Sequence, residues 1–273
     1  MPETAPSSAL IPRLHLFEFA DQPWYPRALR DFGTDYLQAL SEVLGVFDAG
    51  AEVLARGLRT QETPELLDLG SGGGGPLLRL CGLLKAEQGL EPRVLLSERS
   101  PSADVVERDR ARGGTYLEQP VDPTRVPREL RGMRTLFNAL HHFRPEQVKH
   151  LLADAQEKQV PFAAFEVVNR TPMGLLTSLP VPLLVWLFTP FVQPLTPLRL
   201  LLTYLLPLTP LALSWDGLVS SLRAYSPEEL RAVTASLARD GYTWEVGEVR
   251  KPGKPAVTYV LGLPERSPPR LLP

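Results

Sequence analysis

ELLDLGSGGGGP, residues 65–76, decides the fold. Glu65 to Leu69 has the length and apolar content of a short buried strand, the glycines after it make a turn, and Leu77 to Leu84 resumes a helical apolar spacing. Strand, glycine turn and helix form one α/β unit, and the alternation continues downstream. Val94 to Leu96 is a second apolar run ending at Ser97 and Glu98, followed by a polar helical stretch. Thr115 to Val121, Met133 to Ala139 and Phe162 to Val168 give strands three to five. Pro145 opens a helix whose Val148, Leu151, Leu152 and Ala155 share one face. This order predicts an α/β fold, a parallel sheet with helices on both faces.

Outward from that core, Leu29, Phe32, Tyr36 and Leu40 draw an apolar stripe from Pro26, giving a helical N-terminal lobe to about Leu58. Toward the other end, Ser226-Pro-Glu-Glu229 is a capping box with proline at the first helical position. Its helix uses Leu230, Val233 and Leu237 and stops near Gly241. Tyr242 to Val249 and Ala256 to Leu263 follow as two strands joined by KPGKP, bringing the sheet to seven. The expected division is a mobile tail 1–13, a lobe 14–62, a cofactor-binding core 63–170, an apolar insertion 171–215, a completion of the core 216–265 and a tail 266–273.

Composition narrows the function. Twenty-nine basic residues stand against 31 acidic ones, so no overall positive field invites nucleic acid, which is excluded as a partner. The single cysteine, Cys81, rules out an intramolecular disulfide framework and reads as a small core residue on a helix. The N-terminus lacks the basic and apolar regions of a secretory signal, which points to the cytoplasm.

The glycine turn admits two ligands. Gly70, Gly72 and Gly75 satisfy GxGxxG, a dinucleotide pattern that implies an NAD(P)-dependent oxidoreductase. Against it, Asp68 at the end of the first strand suits a cationic ligand better than a pyrophosphate. Glu98 closes the second strand at the distance where an acid grips a ribose, and the closing helix and hairpin favour another version of the fold. DLGSGGGG, LLSERSP, PVDPTRVP and TLFNALHHF resemble, in order, the first four motifs of the class I S-adenosylmethionine-dependent methyltransferases. The likeness covers residues 63–170, resumes from Ser226, and is similar to a bacterial subgroup in FEFADQPWYP and SWDGLVSSLRAY. It implies a Rossmann-like seven-stranded sheet with S-adenosyl-L-methionine as cofactor. Gly70, Gly72 and Gly74 would lie beneath the methionine part, Asp68 near its ammonium, Glu98 on the ribose hydroxyls and Asp122 at the adenine amino group. Asn138 of the fourth motif joins this cofactor set. Two departures stand out: a glutamate at 98 where the second motif usually has aspartate, and four consecutive glycines.

His141 and His142 directly follow the fourth strand. Neighbouring residues there point oppositely, so one of the pair would face the methyl group and take a proton, while the alternative is a structural pair that caps the next helix. No recognised metal-ligand spacing occurs, and no metal is expected. Glu166 and Arg170, at the carboxyl edge of the sheet, line the substrate mouth or pair with one another. Trp24 and Tyr25 either close over the ligand as a lid or staple the first helix.

Between Arg170 and Asp216 lie 45 residues whose only formal charge is Arg199. Eight prolines break this stretch into runs too short for a spanning helix of about 20 residues. Short helices near 182–189 and 198–206 are expected, as a cap over the substrate, as a peripheral membrane contact or as a homodimer face. Asp216, Arg223 and Tyr225 then bring polar groups back toward the site, which suits a small, largely apolar acceptor methylated on oxygen or carbon. Beside the oxidoreductase, a membrane-associated binding module with a degenerate form of this fold is the other alternative.

Overall fold

The computed structural model describes residues 11–71, 75–99 and 115–265. The chain forms two compact units, residues 38–167 with 227–273 and residues 1–37 with 168–226. These divisions fall at 37, 167 and 226, whereas the sequence drew them at 62, 170 and 215. A continuous helix through Asp216 is one physical reason for the difference.

The larger unit holds one seven-stranded sheet. Its strands are β1 (Glu65–Leu69), β2 (Arg93–Ser97), β3 (Thr115–Tyr116), β4 (Met133–Phe137), β5 (Phe162–Glu166), β6 (Tyr242–Val249) and β7 (Val257–Pro264), in the order β3-β2-β1-β4-β5-β7-β6. The first five run parallel, while β7 lies antiparallel to β5 and to β6. Every strand expected from the sequence is present, with ends moved by a few residues. β3 is the large exception: among the described residues its ladder with β2 covers Thr115 and Tyr116.

Alternation of side chains across the pleat fills both faces. Ala163 and Phe165 on β5, with Val257, Tyr259 and Leu261 on β7, join Leu54, Leu58, Leu77 and Leu80 of helices α2 (Gly50–Leu58) and α3 (Gly75–Gln88) in one apolar cluster. The alternates Phe162, Ala164 and Val260 are equally buried. Helix α4 (Pro145–Glu157) buries the expected Val148, Leu151, Leu152 and Ala155. Gly50 lets α2 close on the sheet, because a Cβ there would stand 2.9 Å from the Phe165 ring. Cys81 is half-buried on α3 and packs against this cluster, as expected.

The smaller unit holds the first half of α1 (Arg27–Leu44), then α5 (Pro172–Leu176), α6 (Val181–Phe188), α7 (Pro197–Leu200), a wide turn at Leu201–Leu205 and α8 (Leu208–Arg223). Leu29, Phe32 and Tyr36 are the buried stripe of α1. Residues 11–13 are not a loose tail: Ile11 N donates to the Arg170 carbonyl at 3.2 Å and Arg13 Nε to the Arg223 carbonyl at 2.7 Å. Among the described residues no single helix is long and apolar enough to cross a membrane.

Candidate active site

The carboxyl ends of β1, β2, β4 and β5 gather the chemistry-bearing residues of the larger unit. β1 ends on Asp68 and Leu69, and Gly70 then takes φ +82°, a left-handed conformation that glycine adopts without strain. The turn is pinned by the neighbouring strand. Gly70 N and Ser71 N both donate to the Ser97 carbonyl, at 2.9 and 3.1 Å. The Ser97 hydroxyl donates to the Asp68 carbonyl at 2.7 Å. Asp68 is buried, and its Oδ1 accepts the Thr135 hydroxyl of β4 at 2.6 Å. It thus lies beneath the turn, with its charge screened from water. Gly72 and Gly74 lie outside the described residues.

Glu98 follows β2, half-buried, and its carbonyl accepts Val121 N at 2.9 Å. That bond carries the chain to Asp122, which is exposed and folds into a local turn: its Oδ1 accepts Thr124 N at 2.9 Å and the Thr124 hydroxyl at 2.7 Å. Burial raises the Asp122 carboxyl, but the Thr124 hydrogen bonds and the Arg99 charge outweigh it, holding the group below the ordinary carboxylate range.

After β4 the chain turns back through Asn138 at φ +50°, a conformation asparagine tolerates better than most residues. Asn138 N donates to the Phe165 carbonyl at 2.6 Å, and its side-chain oxygen accepts Val167 N at 3.2 Å. Both bonds tie it to β5, so its side-chain oxygen is occupied by the protein. The short 3-10 turn Leu140–His142 follows. Glu166, the last residue of β5, clamps it: Oε1 accepts Leu140 N at 2.6 Å and Oε2 meets His141 Nδ1 at 2.8 Å. Glu166 therefore pairs with His141 rather than with Arg170, because both its oxygens are committed to the turn after β4. The rings of His141 and His142 lie 4.3 Å apart, His141 buried and His142 partly exposed.

The remaining substrate candidates belong to the smaller unit, where they hold the N-terminal segment. Asp216 accepts Phe19 N at 2.7 Å and Ala20 N at 3.0 Å. Buried Arg223 donates to the Leu16 carbonyl at 2.8 Å and ion-pairs with Asp21 at 2.5 Å and Glu18 at 3.2 Å. The Tyr225 ring lies 4.0 Å under the Arg13 guanidinium. Arg170 is buried and donates to the Ile11 carbonyl at 3.2 Å. Each of these groups tethers an N-terminal residue. Tyr25 is buried beside Phe19, while Trp24 is exposed on Phe19's edge. Burial first, then the Asp216 charge, pushes the Tyr25 hydroxyl up to about 12. This placement fits the stapling alternative.

Sequence reading missed Thr135 and the two serines, Ser71 and Ser97. Hydroxyl residues in short strands and turns carry no functional signal of their own, and only pairing across β1, β2 and β4 reveals them as the frame of the turn.

No protein-family model and no curated protein sequence matches the chain. Solved structures do. The plantazolicin methyltransferase BpumL in complex with SAH aligns over 91% of this chain and 94% of its own at 10% identity, with a TM-score of 0.60. The plantazolicin methyltransferase BamL, in complex with a triazolic desmethylPZN analog and SAH, aligns over 88% and 98% at 8% identity and a TM-score of 0.49. Human N-acetylserotonin methyltransferase in complex with SAM aligns over 86% of this chain and 56% of its own at 15% identity and a TM-score of 0.47. With its sheet order and its antiparallel β7, the chain has the Rossmann-like α/β fold of the first of these methyltransferases.

Proposed function

We propose that this chain transfers the methyl group of S-adenosyl-L-methionine to a small, largely apolar acceptor, on oxygen or carbon. The carrying observation is the glycine turn at the carboxyl end of β1, where ligands of open α/β sheets bind. Among the described residues a Cβ at Gly70 would meet no heavy atom within 4 Å. BpumL, of the same fold, was solved with SAH, the demethylated form of this cofactor.

The residues fit that group. Glu98 would hold the ribose hydroxyls, and Asp122, whose Oδ1 accepts from Thr124, would hold the adenine amino group. When bound, the cofactor supplies an activated methyl open to in-line displacement. His141, whose Nδ1 meets Glu166 Oε2 at 2.8 Å, is the group that would take the acceptor's proton. Glu166 acts as a positioning residue for that ring.

Calorimetry of the whole chain against S-adenosylhomocysteine and NADH in parallel tests the reading. Binding of S-adenosylhomocysteine with none of NADH supports it; binding of NADH alone would hand the site to the oxidoreductase reading.

A further inference from the structure

We propose that residues 173–211 of the smaller unit dock into the interface of a lipid bilayer, lying in its plane without crossing it. The inference stands apart from methyl transfer and rests on how this segment sorts its side chains.

The sorting is inverted. Thr189, Arg199, Thr203 and Thr209 are buried, whereas Leu183, Leu187, Phe191, Leu205 and Leu211 are 55 to 78% exposed. Water drives the opposite arrangement in a core and its surface. Polar groups turned inward beneath an apolar exterior are what a hydrocarbon solvent favours. Sixteen large apolar side chains between Met173 and Leu211 are exposed. At typical side-chain areas they present roughly 1,500 Å² of apolar surface, over twice the largest patch of an ordinary monomer.

Charge selects the occupant. Arg199 is the only formal charge between Arg170 and Asp216, and it is turned inward, donating to the Val192 carbonyl at 3.0 Å and pairing with Asp35. The exposed side chains of this segment therefore carry no charge, which complements acyl chains. Its exposed aromatics also satisfy their own polar tips. Trp186 Nε1 donates to the Thr203 carbonyl at 2.9 Å, and the Tyr204 hydroxyl to the Trp186 carbonyl at 2.7 Å. Among the described residues no single helix has the length and apolar content to cross, and the pair Pro197–Leu205 and Leu208–Arg223, which has them only together, is bent by 71°.

Flotation of the whole protein with phosphatidylcholine vesicles is the test. We expect co-flotation on neutral lipid, undiminished at high salt because no charge contributes. Phe191→Glu/Leu205→Glu should lose it while keeping the wild-type melting temperature. Should that variant fail to fold, wild-type tryptophan fluorescence with bromine-labelled phosphatidylcholine reads the same contact: it should be quenched, and Trp186→Phe should remove most of the quenching. Wild type remaining in the dense fraction, release by salt, or a lipid-free dimer that ignores vesicles would each overturn the proposal.

Discussion

His141 Nδ1 stands 2.8 Å from Glu166 Oε2, and this contact joins the turn after β4 to the last residue of β5. The second Glu166 oxygen holds Leu140 N, so one carboxylate fixes both the backbone of the turn and the orientation of its histidine.

Glu166→Gln keeps an oxygen for Leu140 N but places an amide against the histidine ring. We expect kcat to fall on the order of 10- to 100-fold, with a displaced pH–rate profile. Loss of a hydrogen bond to a charged group should also cost about 1.5–3 kcal/mol of stability. Urea melts and kcat profiles of Glu166→Gln and His141→Gln separate the two effects. A lower melting point with an unchanged pH profile would leave the pair as a structural tie alone.

At the glycine turn, Gly70→Ala meets no atom of the described residues but must hold φ +82°. It should cost about 1 kcal/mol of stability and weaken S-adenosylhomocysteine binding. Glu98→Ala should weaken that binding by about 1.5–3 kcal/mol, roughly 10- to 150-fold. Calorimetric affinities unchanged in Glu98→Ala would place the ribose elsewhere.

The sheet was legible in the sequence because its signals are local: β1 runs Glu65–Leu69 and β6 Tyr242–Val249, the bounds that apolar run length and turn residues dictate. Thr115 to Val121 read as one strand, yet among the described residues the ladder with β2 covers Thr115 and Tyr116, and beyond it only Leu117 N and Val121 N reach the Leu96 and Glu98 carbonyls. The site was legible in part. Glu98 and the histidines stand at the expected strand ends, but whether Asp216 and Arg223 face a ligand or the N-terminal segment depends on contacts some 200 positions apart. No spacing rule reaches that far. The pairing of Glu166 with His141 rather than Arg170 is hidden for the same reason.

Cys81 offers a chemical check on the placement of α3. Burial, followed by the charge of Asp68, pushes its thiol up to about 12. The thiolate is the reactive form, so almost none is present at neutral pH. Iodoacetamide should label the folded protein at least about 100-fold more slowly than the protein in urea. The sign follows: a raised folded pKa contributes stability that is complete below about 8.5 and declines at higher pH. Labelling as fast as in urea would contradict the packing of α3 on the sheet.

Glu245 governs the acid side. On edge strand β6, its oxygens meet Arg56 of α2 at 2.9 and 2.5 Å, and it also accepts the Tyr259 hydroxyl. The Arg56 hydrogen bond, then that from Tyr259, lowers its carboxyl to about 2. A depressed folded pKa means the stabilisation is present above the unfolded value near 4.3 and is lost as pH falls toward 2. The Glu245 side chain is 42% exposed, so solvent screening limits the pair to less than about 1 kcal/mol. Glu245→Gln should therefore change the melting temperature little at acid pH, where wild type has already lost the pair. At neutral pH it should lower it by a few degrees, and the gap should narrow at high salt. Calorimetric melts of both proteins from pH 7 down to about 2.5 read this directly: the curves should converge as the acid limit is approached. Parallel curves across that range would mean that the Arg56–Glu245 contact does not tie α2 to the hairpin in solution.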